Sequence, residues 1–444
     1  MDGGLIPSFG GFLWTVGAFV IALSIIVAIH EYGHYIIARL CGIRSEVFSV
    51  GFGPVIWSRM DKHGTRWQIA ALPLGGYVKF LGDVSAASDR PDEKVLASMD
   101  EDTRRQTIHG APLWARAATV AAGPVFNFIL STLVFAAILF ARGTASEPLT
   151  IDRVLPMPGV VELEPGDELL AIAGIDIPPL GEFDNLVDTL PEAGSLTYTV
   201  RRGESELDVT GPYPYPALVS AVSLESAAID ADLREGDVIT AVDGVQVATF
   251  GQLREIVGNS DGRGLRLDVW RDGEMIEKTL TPRRMDIPDP EGGFETRWLI
   301  GISGGLMFEP ATELPGPIEA LKFGVDQIIF IIQSSISGLY HMAVGAISSC
   351  NLQGPIGIAE TSGAAASQGW VSFFWFIAVL STAVGFLNLF PIPVLDGGHL
   401  VFHAYEALAG KPPSDAVLRV MMGIGLILLV ALMSFAVSND IFCP

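Results

Sequence analysis

The sequence predicts a polytopic α-helical membrane protein with four transmembrane helices, a small membrane-associated β-sheet and two copies of a small α+β domain. Three observations carry that prediction. The 444-residue chain is 50% hydrophobic and only 17% charged, with a mean hydropathy of +0.44, whereas average globular chains are about 25% charged. Four long runs hold almost no charged residue. Between the second and third of them, Pro165-Gly166-Asp167-Glu168-Leu169-Leu170-Ala171-Ile172-Ala173-Gly174-Ile175 recurs 70 residues later as Glu235-Gly236-Asp237-Val238-Ile239-Thr240-Ala241-Val242-Asp243-Gly244-Val245. A repeat of that period marks duplication of one small folded unit.

Residues 1–11 lack the basic start of a cleavable signal peptide, so the first apolar run is expected to stay as an anchor. That run, residues 12–29, contains no charge and leads into His30-Glu31-Tyr32-Gly33-His34. Residues 117–140 form the second span, 371–390 the third, and 417–437 the fourth, with only Arg419 near its start. A fifth run, 323–347, is apolar but contains Asp326 and His341. The loop between the first two spans carries eleven Lys/Arg from Arg39 to Arg116, which places it in the cytoplasm. The N-terminus and the insert 141–369 then lie outside, in a bacterial periplasm. The insert holds 35 acids against 14 Lys/Arg, so it carries most of the net charge of −23. That balance argues against nucleic-acid binding.

Within the cytoplasmic loop, Val47–Ser58 and Trp67–Ala70 read as strands joined through a turn at Lys62-His63-Gly64-Thr65, and 83–106 reads as an exposed charged loop. In the insert, each repeat copy continues into a helical stretch (183–190; 250–257) and a strand entering a turn (198–203; 267–273). Cys41, Cys350 and Cys443 are too few and scattered for a disulfide framework. Cys350 and Cys443 both fall outside, where pairing is open to them; the reading favours unpaired thiols.

The chemistry is carried by two stretches. His-Glu-x-x-His on a helix turns His30 and His34 to one face, where both imidazoles can hold one zinc ion, with Glu31 beside them to take a proton from water. Alone the pattern is weak. The second stretch is Asn388-Leu389-Phe390-Pro391-Ile392-Pro393-Val394-Leu395-Asp396-Gly397-Gly398. Its prolines break a helix, its glycines allow a sharp turn, and Asp396 is a carboxylate at a membrane boundary that calls for a partner. A third zinc ligand is the natural one, since two His and one carboxylate leave a position open for water. His399 and His403 also stand four apart, but Leu400 follows His399 where a base would be needed, so they read as structural.

In order along the chain, His30-Glu31-x-x-His34, Asn388-x-x-Pro391-x-Pro393-x-x-Asp396-Gly397 and the intervening repeat resemble the site-2 protease family of intramembrane zinc proteases, in its bacterial tandem-PDZ, regulator of sigma-E protease branch. Phe48–Pro54, Pro73–Lys79 and Ala122–Phe128 agree as well. The repeat copies themselves resemble PDZ domains, which hold extended peptides by strand addition; the second, with Ser226-Ala227-Ala228 upstream, matches better. The division that follows is residues 1–40 for the first helix with its motif, 41–116 for the cytoplasmic-side loop with membrane-associated hairpins, and 117–141 for the second helix. Two periplasmic PDZ domains take 142–213 and 214–285, a linker with membrane-surface helices takes 286–369, and the third helix takes 370–391. The ligand loop and cytoplasmic segment take 392–416 and the fourth helix 417–438.

The resemblance implies further roles. Zinc, one per chain, is held by His30, His34 and Asp396; Glu31 is the catalytic base. Asn388 holds substrate near the metal. Gly51-Phe52-Gly53 resembles a membrane-associated edge strand that pairs with unwound substrate. The ligands must share one side of the membrane, so 323–347 cannot cross it and is expected to lie on the outer surface. Expected substrates are single-span membrane proteins already trimmed outside, of the anti-sigma factor type, and remnant signal peptides, with the PDZ pair as a size filter. A membrane PDZ scaffold without catalysis is the competing class. It gives no reason to keep a base beside two ligands.

Overall fold

The computed structural model describes residues 9–85, 88–91, 99–179, 182–223, 226–288 and 293–443. It divides into two compact units, residues 1–138 with 317–444, and residues 139–316.

Among the described residues of the first unit, four helices are long and apolar enough to cross a membrane. They begin near the predicted runs but extend past some of them: Gly11–Leu40, Leu113–Arg142, Trp370–Asn388 and Asp415–Phe442. The first belongs to a 32-residue helix, Phe9–Leu40. At 1.5 Å per residue about 20 residues suffice for a bilayer core, so the helix has length left over for the turns that carry His30 and His34. Pro317–Ala343 forms a 27-residue helix around the fifth run, and it is not among the helices apolar enough to cross a membrane. Ala22 and Ile26 of the first helix pack on Ile377 of the Trp370–Asn388 helix.

The hairpin sheet is more folded than its sequence suggests. Strands Ser45–Met60 and Arg66–Phe80 are long and bent. Residues 45–50 pair with 76–80 on one side and 66–69 on the other, and 66–70 also pair with 55–60. The turn holds through Asp61, which accepts from the backbone amides of His63 (2.7 Å) and Thr65 (2.9 Å). Val55, Ile56, Trp57 and Met60 remain about half exposed or more, an apolar patch that suits a membrane surface. The expectation of an exposed charged loop over 83–106 is corrected in part. Asp83–Ser85 pairs with Ser88–Pro91, and Glu101–Arg105 is a short helix; residues 86–87 and 92–98 lie outside the described set.

A second correction concerns the cysteines. Cys350 and Cys443 form a disulfide, with Cα atoms 5.6 Å apart. The end of the Asp415–Phe442 helix brings them together. Asn439 donates to the carbonyl of Ser349 (2.7 Å), and Asp440 accepts from the amides of Gly354 (2.7 Å) and Ile356 (2.9 Å). Spacing alone could not reveal that clasp.

The second unit contains two four-stranded antiparallel sheets of the same order. One runs Ser205–Gly211, Leu196–Arg202, Glu168–Ile172, Ile175–Asp176; the other runs Glu274–Leu280, Leu265–Arg271, Val238–Val242, Val245–Gln246. Helices Phe183–Thr189 and Phe250–Gly258 bury Phe183, Leu186 and Val187, and Leu253 and Val257, in the respective cores. Each copy also repeats one ion pair made by a buried carboxylate. Asp167 receives Arg202 Nε and Nη2 at 2.7 and 2.8 Å and the amide of Glu164 at 2.9 Å. Asp237 receives Arg271 Nε and Nη2 at 2.6 and 2.7 Å and the amide of Arg234 at 2.8 Å. The unit does not stop at residue 285. Arg283–Pro288 pairs with Phe294–Leu299, and Phe308–Pro310 returns to pair with Ile151–Val154, so the segment assigned to a linker completes the fold.

Candidate metal centre

His30 and His34 lie one turn apart near the end of the first helix. Two glycines let other backbones come close to that turn. A Cβ on Gly33 would sit 2.5 Å from the carbonyl oxygen of Ala122, and a Cβ on Gly123 would sit 2.4 Å from His34 Nε2 and 2.7 Å from His30 Cε1. The Leu113–Arg142 helix therefore presses its backbone onto the two imidazoles, and any larger residue at either position would push it away.

Asp396 is the first residue of the Asp396–Ala409 helix. The chain leaves the Trp370–Asn388 helix and turns through Pro391-Ile392-Pro393. The amide of Ile392 reaches the Phe390 carbonyl (2.7 Å) and that of Leu395 reaches the Ile392 carbonyl (2.8 Å). Gly397 and Gly398 are both buried, tight under this turn. The result delivers the Asp396 carboxylate to the histidines.

The three side chains converge on one point. His30 Nε2 lies 3.1 Å from Asp396 Oδ2, His34 Nε2 lies 3.5 Å from it, and the two Nε2 atoms are 3.2 Å apart. Ligands about 2.0–2.1 Å from a tetrahedral zinc stand about 3.3 Å from one another, so the triangle has the right size. Its electrostatics agree. Asp396 Oδ2 is buried and has no hydrogen-bond donor. His34 Nδ1 stands 2.8 Å from the Thr119 carbonyl, which can only accept, so Nδ1 carries the ring proton and Nε2 presents a lone pair. Lone pairs converging on a donorless carboxylate oxygen are a cost unless a cation sits among them. The donor set therefore fits zinc. Among the described residues this is also the group of three ligand-type side chains close enough to share one metal.

The other predicted site residues lie as follows. Glu31 follows His30 on the helix, and a Cβ on Gly76 would come 3.0 Å from its Cγ, so the 76–80 ribbon flanks it. Asn388 ends the Trp370–Asn388 helix; among the described residues, no side-chain hydrogen bond ties it to the ligand atoms. Gly51 and Gly53 take positive φ (+91° and +84°) at the bend of the first strand, and Phe52 between them pairs with Leu72 and stacks on Tyr77. That stretch is thus a bend already paired within its own sheet; the sheet's outer ribbons are 55–60 and 76–80. Sequence reasoning gave no role to Thr119 or Asn127, which meet His34 and His30. The available signal was a polar Asn inside an uncharged span.

With this geometry established, comparison with known proteins is informative. Peptidase family M50 matches residues 18–432. The chain belongs to peptidase family M50. It is therefore a metallopeptidase of a zinc-dependent family. This M50 peptidase is similar to a protein of Mesorhizobium japonicum bearing a provisional zinc metalloprotease name, with 33% identity over 432 residues, covering 97% of this chain and 99% of that one. A similarly named protein of Agrobacterium fabrum is 35% identical over 428 residues, covering 95% and 94%. The regulator of sigma-E protease RseP of Salmonella typhimurium is 34% identical over 460 residues, covering 96% and 98%.

Proposed function

We propose that this M50 peptidase cuts transmembrane segments of single-span membrane proteins, with His30, His34 and Asp396 as its zinc ligands and Glu31 as its general base. The observation that carries the reading is the triangle of Nε2, Nε2 and Oδ2 atoms, 3.1–3.5 Å on a side, with a buried carboxylate oxygen that no donor reaches. Zinc bound there supplies a Lewis acid that activates water and polarises the scissile carbonyl. Glu31 accepts the proton of the attacking water and returns it to the leaving amide nitrogen. Thr119 holds the His34 tautomer that ligation needs. Asn388 orients the unwound substrate. The Gly51–Gly53 bend supports the hairpin sheet against which that substrate extends, since a helical peptide bond is masked by its own hydrogen bonds.

The same reading places both termini and the outer unit in the periplasm and the ligand site toward the cytoplasmic side of the inner membrane. Two supports are the eleven basic residues of the first loop and the Cys350–Cys443 disulfide, since such bonds persist in oxidising compartments. The two like-ordered sheets act as PDZ domains that exclude untrimmed substrates. The substrates are of the anti-sigma factor type, together with remnant signal peptides. Because Phe308–Pro310 pairs with Ile151–Val154 and Thr312–Glu313 with Thr144–Ala145, a deletion testing the filter must run from Thr144 to Glu313. It should let untrimmed substrate be cut, and continued resistance would defeat the filter idea.

The experiment for the enzyme itself is Glu31→Gln in purified full-length protein with a single-span substrate. Cleavage should fall by about 10²–10⁴-fold with zinc still bound. Undiminished cleavage would remove Glu31 from the mechanism.

A further inference from the structure

The two histidines of the proposed metal centre are held differently, and the difference points to Asn127. His34 Nδ1 faces the Thr119 carbonyl, a group that can only accept. His30 Nδ1 faces the side-chain amide of Asn127, with Nδ2 at 3.2 Å. An amide presents a donor on one side and an acceptor on the other, and a half-turn about Cβ–Cγ exchanges them.

Everything else about Asn127 is fixed. The residue is fully buried on the Leu113–Arg142 helix. Its backbone carbonyl receives the hydroxyls of Ser131 (3.0 Å) and Ser381 (3.1 Å). A Cβ on Gly385 would come within 3.1 Å of its own Cβ, so the neighbouring helix packs directly on it. Only the amide itself can turn.

With Nδ2 toward the ring, Asn127 donates to His30 Nδ1 and forces the ring proton onto Nε2. Asn127 Oδ1 is then buried without a hydrogen bond, and the ring proton occupies the triangle, with Nε2 3.1 Å from Asp396 Oδ2, where a cation would sit. With Oδ1 toward the ring, Asn127 accepts from Nδ1–H, its oxygen is satisfied, and His30 Nε2 presents a lone pair beside Asp396 Oδ2. The converging Nε2 and Oδ2 lone pairs are then answered by a cation. The Asn127 amide and Asp396 Oδ2 are thus coupled through one imidazole.

We infer that Asn127 is a positioning residue for His30, its side-chain amide turning to accept the Nδ1 proton and so setting the tautomer that binds zinc. The inference rests on His30, His34 and Asp396 being the zinc ligands. Partners of this kind affect metal affinity by about 10–100-fold.

The test is zinc affinity by chelator competition on full-length protein, comparing wild type with Asn127→Leu and Asn127→Asp, read beside imidazole ¹⁵N shifts of zinc-loaded wild type. Asn127→Leu keeps bulk but cannot accept; its affinity should drop about 10–100-fold, while Asn127→Asp, which accepts, stays within about threefold of wild type. Zinc-loaded wild type should show the His30 proton on Nδ1. A Leu variant that binds zinc as wild type does, equal losses in the Leu and Asp variants, or a His30 proton on Nε2 in the loaded protein would each overturn the inference while leaving the ligand assignment standing. Should Asn127→Leu not fold, the Asp variant and the nitrogen shifts still decide it. A wild type that takes up no zinc would instead remove the ligand assignment on which the inference rests.

Discussion

Asp396 and Asp237 are both shielded carboxylates, and they are satisfied in opposite ways. Asp237, in the second unit, is fully buried and receives two guanidinium hydrogens from Arg271 and a backbone amide. Asp396, in the membrane unit, stands beside two imidazoles, and its Oδ2 has no donor at all. A carboxylate that brings its own cation is complete when the chain folds. One that gathers further lone pairs around an orphaned oxygen is incomplete until a metal arrives. The contrast separates a structural acid from a functional one without reference to either one's neighbours in sequence. The second unit makes the point twice, since Asp167 and Arg202 repeat the Asp237 arrangement.

Substitutions can sharpen or break this contrast. The largest effect is expected from His34→Ala, which removes one corner of the triangle and the Thr119 contact together. Metal analysis of the purified protein should find zinc lost, whereas a scaffold that never used the metal would show no change. Next comes Asp237→Ala, which strands Arg271. It should destabilise the second unit by about 3 kcal/mol, because removing the buried carboxylate leaves the partly buried Arg271 charge uncompensated. Denaturant titration would measure that loss, and zinc content should stay at the wild-type level. A fall in zinc would mean the two carboxylates are not independent.

Cys350→Ser should cost about 2–4 kcal/mol, as expected for opening a long disulfide loop, and should free the clasp at Asn439 and Asp440. The comparison to make is unfolding with and without reductant: reductant should destabilise wild type and leave the variant unchanged.

The smallest expected effect is on acid stability. Partial burial would raise the Asp61 carboxyl, but the amides of Thr65 and His63 and the Trp67 and Tyr35 side chains outweigh it and hold it down at about 2, against an ordinary 3.8. A group depressed in the folded state lends stability that is complete above its ordinary pKa and lost as pH falls through its folded one. The contribution of the hairpin turn should therefore be flat above pH 3.8 and disappear toward about pH 2. Asp61→Asn should abolish that dependence in an acid unfolding series; an unchanged slope would show that the turn does not titrate there.

Much of this was legible in the sequence because it rests on local rules. Uncharged runs mark spans, and a four-residue interval puts His30 and His34 on one face. The requirement that Asp396 share their side of the membrane set aside 323–347, and the structure leaves the Pro317–Ala343 helix outside the spanning set. What escaped depends on contacts between distant segments. The return of Phe308–Pro310 to Ile151–Val154, the Cys350–Cys443 bond and the second pairing of residues 45–50 join stretches whose spacing carries no period. Gly51-Phe52-Gly53 read as an edge strand through its resemblance to that of the family. Its two positive-φ glycines instead make a bend whose partner is Leu72. Asn127 was visible as a residue but not as a partner, since nothing in its own helix points to His30.

The central claim is that Asp396 completes a zinc site. The most direct measurement is zinc stoichiometry in purified wild type, Asp396→Asn and Asp237→Asn. The amide keeps the shape of the side chain while removing its negative charge. The account predicts one zinc per chain in wild type and in Asp237→Asn, and none retained through chelation in Asp396→Asn. Equal zinc in all three proteins would contradict it.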